Sequence, residues 1–141
     1  MSDARHVVLI HGTWARGDGW GPTRTAFEER GYSVHTPTLR HHELSMQDGA
    51  TKIAPLSMRD YTDDLVALVD SLESPPLLVG LSMGGLLAQL VAKTAAQYQR
   101  GTVVEIPEAD HLVFFGDALP VTIDRIDEWM AGNHVLADGS P

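Results

Sequence analysis

An α/β fold, built on a small parallel sheet of about four strands with helices on both faces, is what this sequence predicts. Three observations carry the prediction. Val7-Val8-Leu9-Ile10 and Leu77-Leu78-Val79 are short, continuous apolar runs, the pattern of strands buried on both faces. Between them lie segments with helical spacing, most clearly Tyr61, Leu65, Leu68, Val69 and Leu72. Glycine and proline mark the changes of period at Gly12, Gly31, Pro37, Pro75-Pro76 and Gly101. Strands alternating with helices imply βαβ units with right-handed crossovers.

The elements follow in order. The first strand, Val7 to Ile10, stops at Gly12, and a glycine-rich loop covers 17–21. Pro22 opens a helix over about Thr23 to Arg30, since its missing N–H has no partner in a first turn anyway. Gly31 stops that helix, and Tyr32 to Thr36 is the second strand. Residues 39–56 show no clean period and read as a long loop. Ser57 with Asp60 three residues later is an acidic variant of the capping box, opening the next helix. Leu77 to Val79 is the third strand, Leu86 to about Tyr98 a helix, and Thr102 to Ile106 a fourth strand. A last helix covers about Thr122 to Met130. The whole is one domain, 1–132, with 133–141 a frayed tail.

Composition narrows the function classes. With 141 residues, 43% apolar and 21% charged, the chain can bury roughly two thirds of its surface in one core. Ten basic against 19 acidic residues give a formal charge of −9, which argues against nucleic acid or an anionic membrane as partner. The absence of cysteine excludes disulfides, thiolate metal sites and cysteine nucleophiles. No apolar run reaches membrane-spanning length, and the first residues lack a secretory pattern, so a cytoplasmic location is expected.

The chemistry gathers at three places. Gly80-Leu81-Ser82-Met83-Gly84 follows the third strand and opens a helix, the G-x-S-x-G pattern in its strand–turn–helix setting. That setting makes Ser82 the candidate nucleophile, with its Oγ raised above the sheet edge. His11-Gly12-Thr13-Trp14 ends the first strand. A serine nucleophile needs two N–H donors for the developing oxyanion. Met83 supplies one and Thr13 is placed to supply the other, with His11, Gly12 and Trp14 as candidate pocket residues. Alone, H-G-x is a common turn, in which His11 is a packed histidine. Ile106-Pro107-Glu108-Ala109-Asp110-His111 then brings a histidine to the same edge of the sheet, and His111 is the candidate base. His41 and His42 are assigned to the entrance or to solvent, and His6, His35 and His134 to the surface.

These three motifs, in this order, resemble the α/β-hydrolase superfamily, especially its small esterases and lipases, over about residues 6 to 131. The resemblance implies Ser82 as nucleophile, His111 as base, Thr13 and Met83 as oxyanion donors, a carboxylic ester as substrate, and neither cofactor nor metal. It also exposes a departure. Superfamily members usually place two more strands between the nucleophile helix and the histidine strand, and the triad acid follows one of them. Here Ser82 and His111 lie 29 positions apart, so the core reads as reduced and without a cap, with strand order 2-1-3-4. The acid position is absent, leaving Asp110, Glu108 and Asp117 as candidates. A short core leaves Thr102 to Ile106 at an edge, from which a homo-oligomer is expected. An uncapped site should accept short esters with little selectivity.

Two other readings compete. A nucleotide-binding module lacks its residues: Gly17-Asp18-Gly19-Trp20-Gly21 is not G-x-G-x-x-G, and no acid ends the second strand. A weakly active or inactive hydrolase-fold remnant, serving as a minimal scaffold through protein association, is favoured by the missing acid. It is opposed by the intact Ser82, His111 and oxyanion loops.

Overall fold

The computed structural model describes residues 5–94 and 114–137. The chain groups into two compact units, Met1–Gly101 and Thr102–Pro141, each described by itself. In the first unit β1 (Arg5–Ile10) is the central strand. It pairs in parallel with β2 (Tyr32–His35) on one side and β3 (Leu77–Gly80) on the other, giving the order β2-β1-β3. Val7 stands opposite both Val34 and Leu77. The expected fourth strand, Thr102 to Ile106, lies outside the described residues.

Alternation along β1 divides the core into two layers. Val8 and Ile10 pack with Leu39, Tyr61, Leu65, Val69, Leu87 and Val91. Those residues bring α3 (Met58–Asp70) and α4 (Met83–Thr94) onto one face. Val7 and Leu9 point the other way and are also fully buried. On that face α1 (Gly21–Glu29) places Phe27 edge-on against Tyr32, with ring centroids 5.3 Å apart. A strand buried on both faces needs unbroken apolar sequence, which is why Val7 to Ile10 reads as it does.

The helix ends follow side-chain chemistry. Ser57 caps α3 as expected: its Oγ accepts from the Asp60 N–H at 3.3 Å, and Asp60 Oδ2 accepts from the Ser57 N–H at 2.8 Å. Hydrogen bonds donated to that carboxyl by the Ser57 N–H and by the Ser57 hydroxyl, the latter at 3.1 Å, hold Asp60 below the usual carboxylate range. Pro22 lies in the first turn of α1, which starts at Gly21 behind a short 3-10 turn over Gly17–Trp20.

Three expectations are corrected. Residues 39–56 are not one loop, because α2 (Met46–Ile53) forms within them. Its signal was a cap: Ser45 Oγ accepts from the Asp48 N–H at 3.1 Å, while Gly49 in mid-helix masks the period. Gly49 is there because the His41 carbonyl lies close, 3.2 Å from where a Cβ would sit. α4 begins at Met83 and not Leu86, since Gly84 and Gly85 belong to its first turn. In the second unit α5 runs Ala118–Ala137, longer at both ends than the expected Thr122 to Met130. Pro120 is tolerated there because it falls in the first turn.

Removing a central side chain tests this core. Leu87 is fully buried between the helices and the sheet. Leu87→Ala is expected to destabilise the fold by about 2–5 kcal/mol, read as a lower urea midpoint with an unchanged slope.

Candidate active site

The elbow begins where β3 ends. The Leu81 N–H donates to the Ile10 carbonyl at 3.1 Å, carrying the β3–β1 pairing one residue past the strand. Ser82 then takes a left-handed conformation, φ 59°, and the chain enters α4 at the next residue. Such a φ costs a residue with a Cβ roughly 1–2 kcal/mol, so the surrounding structure must enforce it. Two turn bonds do so, from the Gly84 N–H to Leu81 O at 3.0 Å and from the Gly85 N–H to Ser82 O at 2.9 Å. The turn closes tightly enough to exclude side chains at both flanking glycines. A Cβ on Gly80 would fall on the Gly84 carbonyl, and one on Gly84 would fall on the Ile10 carbonyl. Ser82 itself is exposed at the carboxyl edge of the sheet.

The loop after β1 approaches the same point. A Cβ on Gly12 would stand 3.2 Å from Ser82 Cβ, so this loop passes directly beside the serine. Thr13 Oγ1 donates to Met83 Sδ at 3.4 Å, bringing the two candidate oxyanion residues into side-chain contact. Met83 is the first residue of α4, whose first amides have no partner inside the helix and lie at its positive end. An anion forming at Ser82 would therefore meet a helix N-terminus.

His11 is 2% exposed, with both ring nitrogens engaged. Nδ1 lies 2.7 Å from the Gly12 carbonyl, and Nε2 accepts the Leu39 N–H at 2.9 Å. The ring is thus a neutral Nδ1–H tautomer that ties the loop after β1 to the loop after β2. Burial holds its pKa below the ordinary histidine range; the Gly12 carbonyl pulls upward, His42 again downward and Asp18 upward. A second proton on Nε2 would face the Leu39 N–H that this nitrogen now accepts.

His42 departs from its expected place in the entrance or in solvent. It is 3% exposed, with its ring centroid 5.2 Å from His11 and 5.9 Å from Tyr61. The cause is the left-handed His41, φ 66°, which turns the chain so that the second histidine packs inward. The inward packing of Leu39 and His42 has no signal in the sequence because both lie in an aperiodic stretch, whereas Tyr61 belongs to the helical spacing that marks α3. His6 and His35 are half-buried and not simply at the surface. They meet through Nδ1 and Nε2 at 3.0 Å, because adjacent parallel strands place them on one face. Trp14 stands 42% exposed beside Thr13. Of the other candidates, His111, Glu108 and Asp110 lie outside the described residues. Asp117 is exposed and directly precedes α5 in the second unit. Among the described residues no three histidines or carboxylates gather as metal ligands, and no helix is long and apolar enough to cross a membrane.

A strand, a strained serine and a glycine-flanked helix start in this arrangement have a known counterpart. The model of the Alpha/beta hydrolase family matches residues 7–132. The chain belongs to that family. Within it, the chain is similar to the pyrethroid hydrolase of Sphingobium wenxiniae, 33% identical over 79 residues, 56% of this chain and 27% of that protein. The solved pyrethroid hydrolase of Sphingobium faniae is 28% identical with a TM-score of 0.56, covering 68% of this chain and 37% of that one. Polyneuridine aldehyde esterase, at 24% identity, TM-score 0.53 and coverage of 65% and 36%, shows likeness of fold alone. The α/β hydrolase chain thus spans little more than a third of these structures.

Two measurements check this geometry. Gly84→Ala is expected to abolish soluble folding, whereas Gly85→Ala, with 3.4 Å to the nearest atom, keeps the native circular dichroism. Stability should also fall with acid through His11. Its folded pKa is depressed, so the unfolded chain takes the proton first. Stability is full above about pH 6.5 and is lost as the pH falls below that toward the folded pKa. His35, also depressed by burial, His6 and Arg24, adds in the same direction. Urea midpoints near pH 8 and pH 5.5 should differ in the wild type and differ less in His11→Gln.

Proposed function

We propose that this α/β hydrolase is a serine carboxylesterase acting through an acyl-enzyme at Ser82. The observation that carries the reading is the left-handed Ser82, φ 59°, exposed between β3 and α4 and pressed against Gly12. A strain of this kind persists only where the structure enforces it, and it presents Oγ at the positive end of a helix. The hydrolase relatives, pyrethroid hydrolases among them, support the same reaction class.

In this mechanism Ser82 Oγ attacks the ester carbonyl while His111 takes its proton. The carbonyl oxygen becomes an oxyanion held by the Met83 and Thr13 N–H groups. His111 then protonates the departing alcohol, leaving the acyl group on Ser82. Water, deprotonated by the same histidine, attacks the acyl-enzyme, and the carboxylic acid leaves with Oγ restored. One of Glu108, Asp110 and Asp117 would orient the imidazole. His11 serves as a fastener of the oxyanion loop, since both its nitrogens are engaged. Association of two or more copies along the sheet edge belongs to the same proposal, with light scattering at micromolar concentration as its check.

A p-nitrophenyl ester assay with wild type, Ser82→Ala and His111→Ala tests the reading. Turnover is expected in the wild type and a loss of at least about a thousandfold in each variant. A fluorophosphonate probe should label the wild type at Ser82 and leave Ser82→Ala unlabelled. Hydrolysis that survives Ser82→Ala in a folded protein would refute the assignment.

A further inference from the structure

The residue beside the candidate oxyanion donor sits in a conformation unfavourable to it. Gly12 to Ala15 form a hydrogen-bonded turn, with the Ala15 N–H donating to the Gly12 carbonyl at 3.2 Å. Trp14 is its third residue and has φ 63°. A turn with positive φ at that position ordinarily holds glycine or asparagine, because a Cβ is strained there. For a bulky aromatic residue this is a genuine outlier. Trp14 is also exposed over 42% of its surface, so the strain does not secure a buried core side chain. Glycine would suit the backbone better and remove the exposed indole.

The surroundings of the ring indicate what the indole does. Its centroid lies 6.0 Å from that of His42, with the planes inclined by 39°. His42 is itself fixed between His11 and Tyr61, so the indole leans on an immobile support. The backbone at Trp14 is held as well, by the turn bond behind it and by the Thr13–Met83 contact in front. The result is a flat apolar surface, rigid on one side and open on the other, one residue from Thr13 and beside the loop that passes Ser82. Aromatic rings recognise such a surface by offset or edge-to-face stacking, which a flexible alkyl chain cannot match.

We infer that Trp14 is a specificity-determining residue, a stacking platform that selects esters bearing an aromatic ring. The inference rests on the esterase reading and narrows it from esters in general to aryl or benzyl ones. The ring can belong to the acyl or to the alcohol part, and two substrate pairs separate these sources. p-Nitrophenyl benzoate against p-nitrophenyl butyrate reports the acyl side, and benzyl acetate against butyl acetate the alcohol side.

The experiment measures kcat/KM for both pairs in the wild type, Trp14→Ala, Trp14→Phe and Trp14→Gly. In one pair the aromatic-to-alkyl ratio should drop about tenfold in the alanine and glycine variants and stay near wild type in the phenylalanine variant. Thermal unfolding of Trp14→Gly should show a midpoint equal to or above that of the wild type, because the backbone strain is relieved. Equilibrium binding of benzyl acetate and of benzoate esters to Ser82→Ala, with and without Trp14→Ala, gives a readout that needs no turnover. A tenfold weaker Kd on loss of the indole supports the platform even if the wild type hydrolyses nothing, in which case only the esterase reading falls. Ratios unchanged in both pairs, unchanged Kd values, or a lowered midpoint in Trp14→Gly would overturn the inference and leave the esterase reading standing.

Discussion

The close approach of the Ser82 turn to the sheet governs the rest of the structure. Two glycines permit it: Gly80 lies against the Gly84 carbonyl, and Gly84 lies against the carbonyl of Ile10 in the central strand. Because no side chain separates helix from strand, α4 starts directly after Ser82 and its apolar side drops Leu87 and Val91 into the core. The same approach brings Ser82 beside Gly12, and so aligns the ends of β1 and β3 at one edge. Packing and site are thus one contact seen from two sides. A change that relaxes the elbow opens the core as well.

His11 performs a comparable service for the loops. An imidazole has one donor and one acceptor when neutral, and here each is used on a different segment. The bond to Gly12 fixes the loop that carries Thr13, and the bond from Leu39 fixes the loop after β2. A tilted contact of His42 with this ring, and an edge-on one with Tyr61, then carry the order to α3. On the outer side, Arg40 reaches across to Asp64 of α3 with two bonds of 2.9 and 2.6 Å, which raises the arginine's already high pKa. The loop after β2 is therefore held from inside by a histidine and from outside by an ion pair. An acidic chain can spare a carboxylate for that purpose.

The three strands, their parallel arrangement and the Ser57 cap were legible in sequence because each rests on a local pattern: apolar runs, breakers and a hydroxyl three residues from an acid. The elbow was legible too, since strand, glycine, serine and glycine follow one another without interruption. The short helix over Met46–Ile53 was not, because its glycine serves a tertiary contact with His41 and breaks the period. Nor was the inward turn of His42, which depends on a left-handed residue next to it that is not glycine. The start of α4 was placed late for a related reason: glycines that look like loop are the residues that let the helix begin against the sheet. Sequence reading failed where a residue answers to a contact or a backbone turn that no local pattern of residue types announces, as Gly84 answers to Ile10 at a long distance along the chain.

That distance has a consequence for how the site arises. The central strand must find β3 from the far end of the unit, with Val7 settling opposite Leu77, 70 positions away. The β1–β2 ladder, with Val7 opposite Val34, closes a loop less than half as long. Closing the longer loop loses more chain entropy before any pairing compensates for it. Ser82 and Gly12 meet only once that ladder is in register, so the elbow cannot be assembled by local turns alone. A partly folded chain would hold the loop of His11 and Thr13 and still lack the serine beside it. The meeting of Ser82 with the loop of Gly12 is a property of completed topology, acquired with the longest-range strand pairing among the described residues.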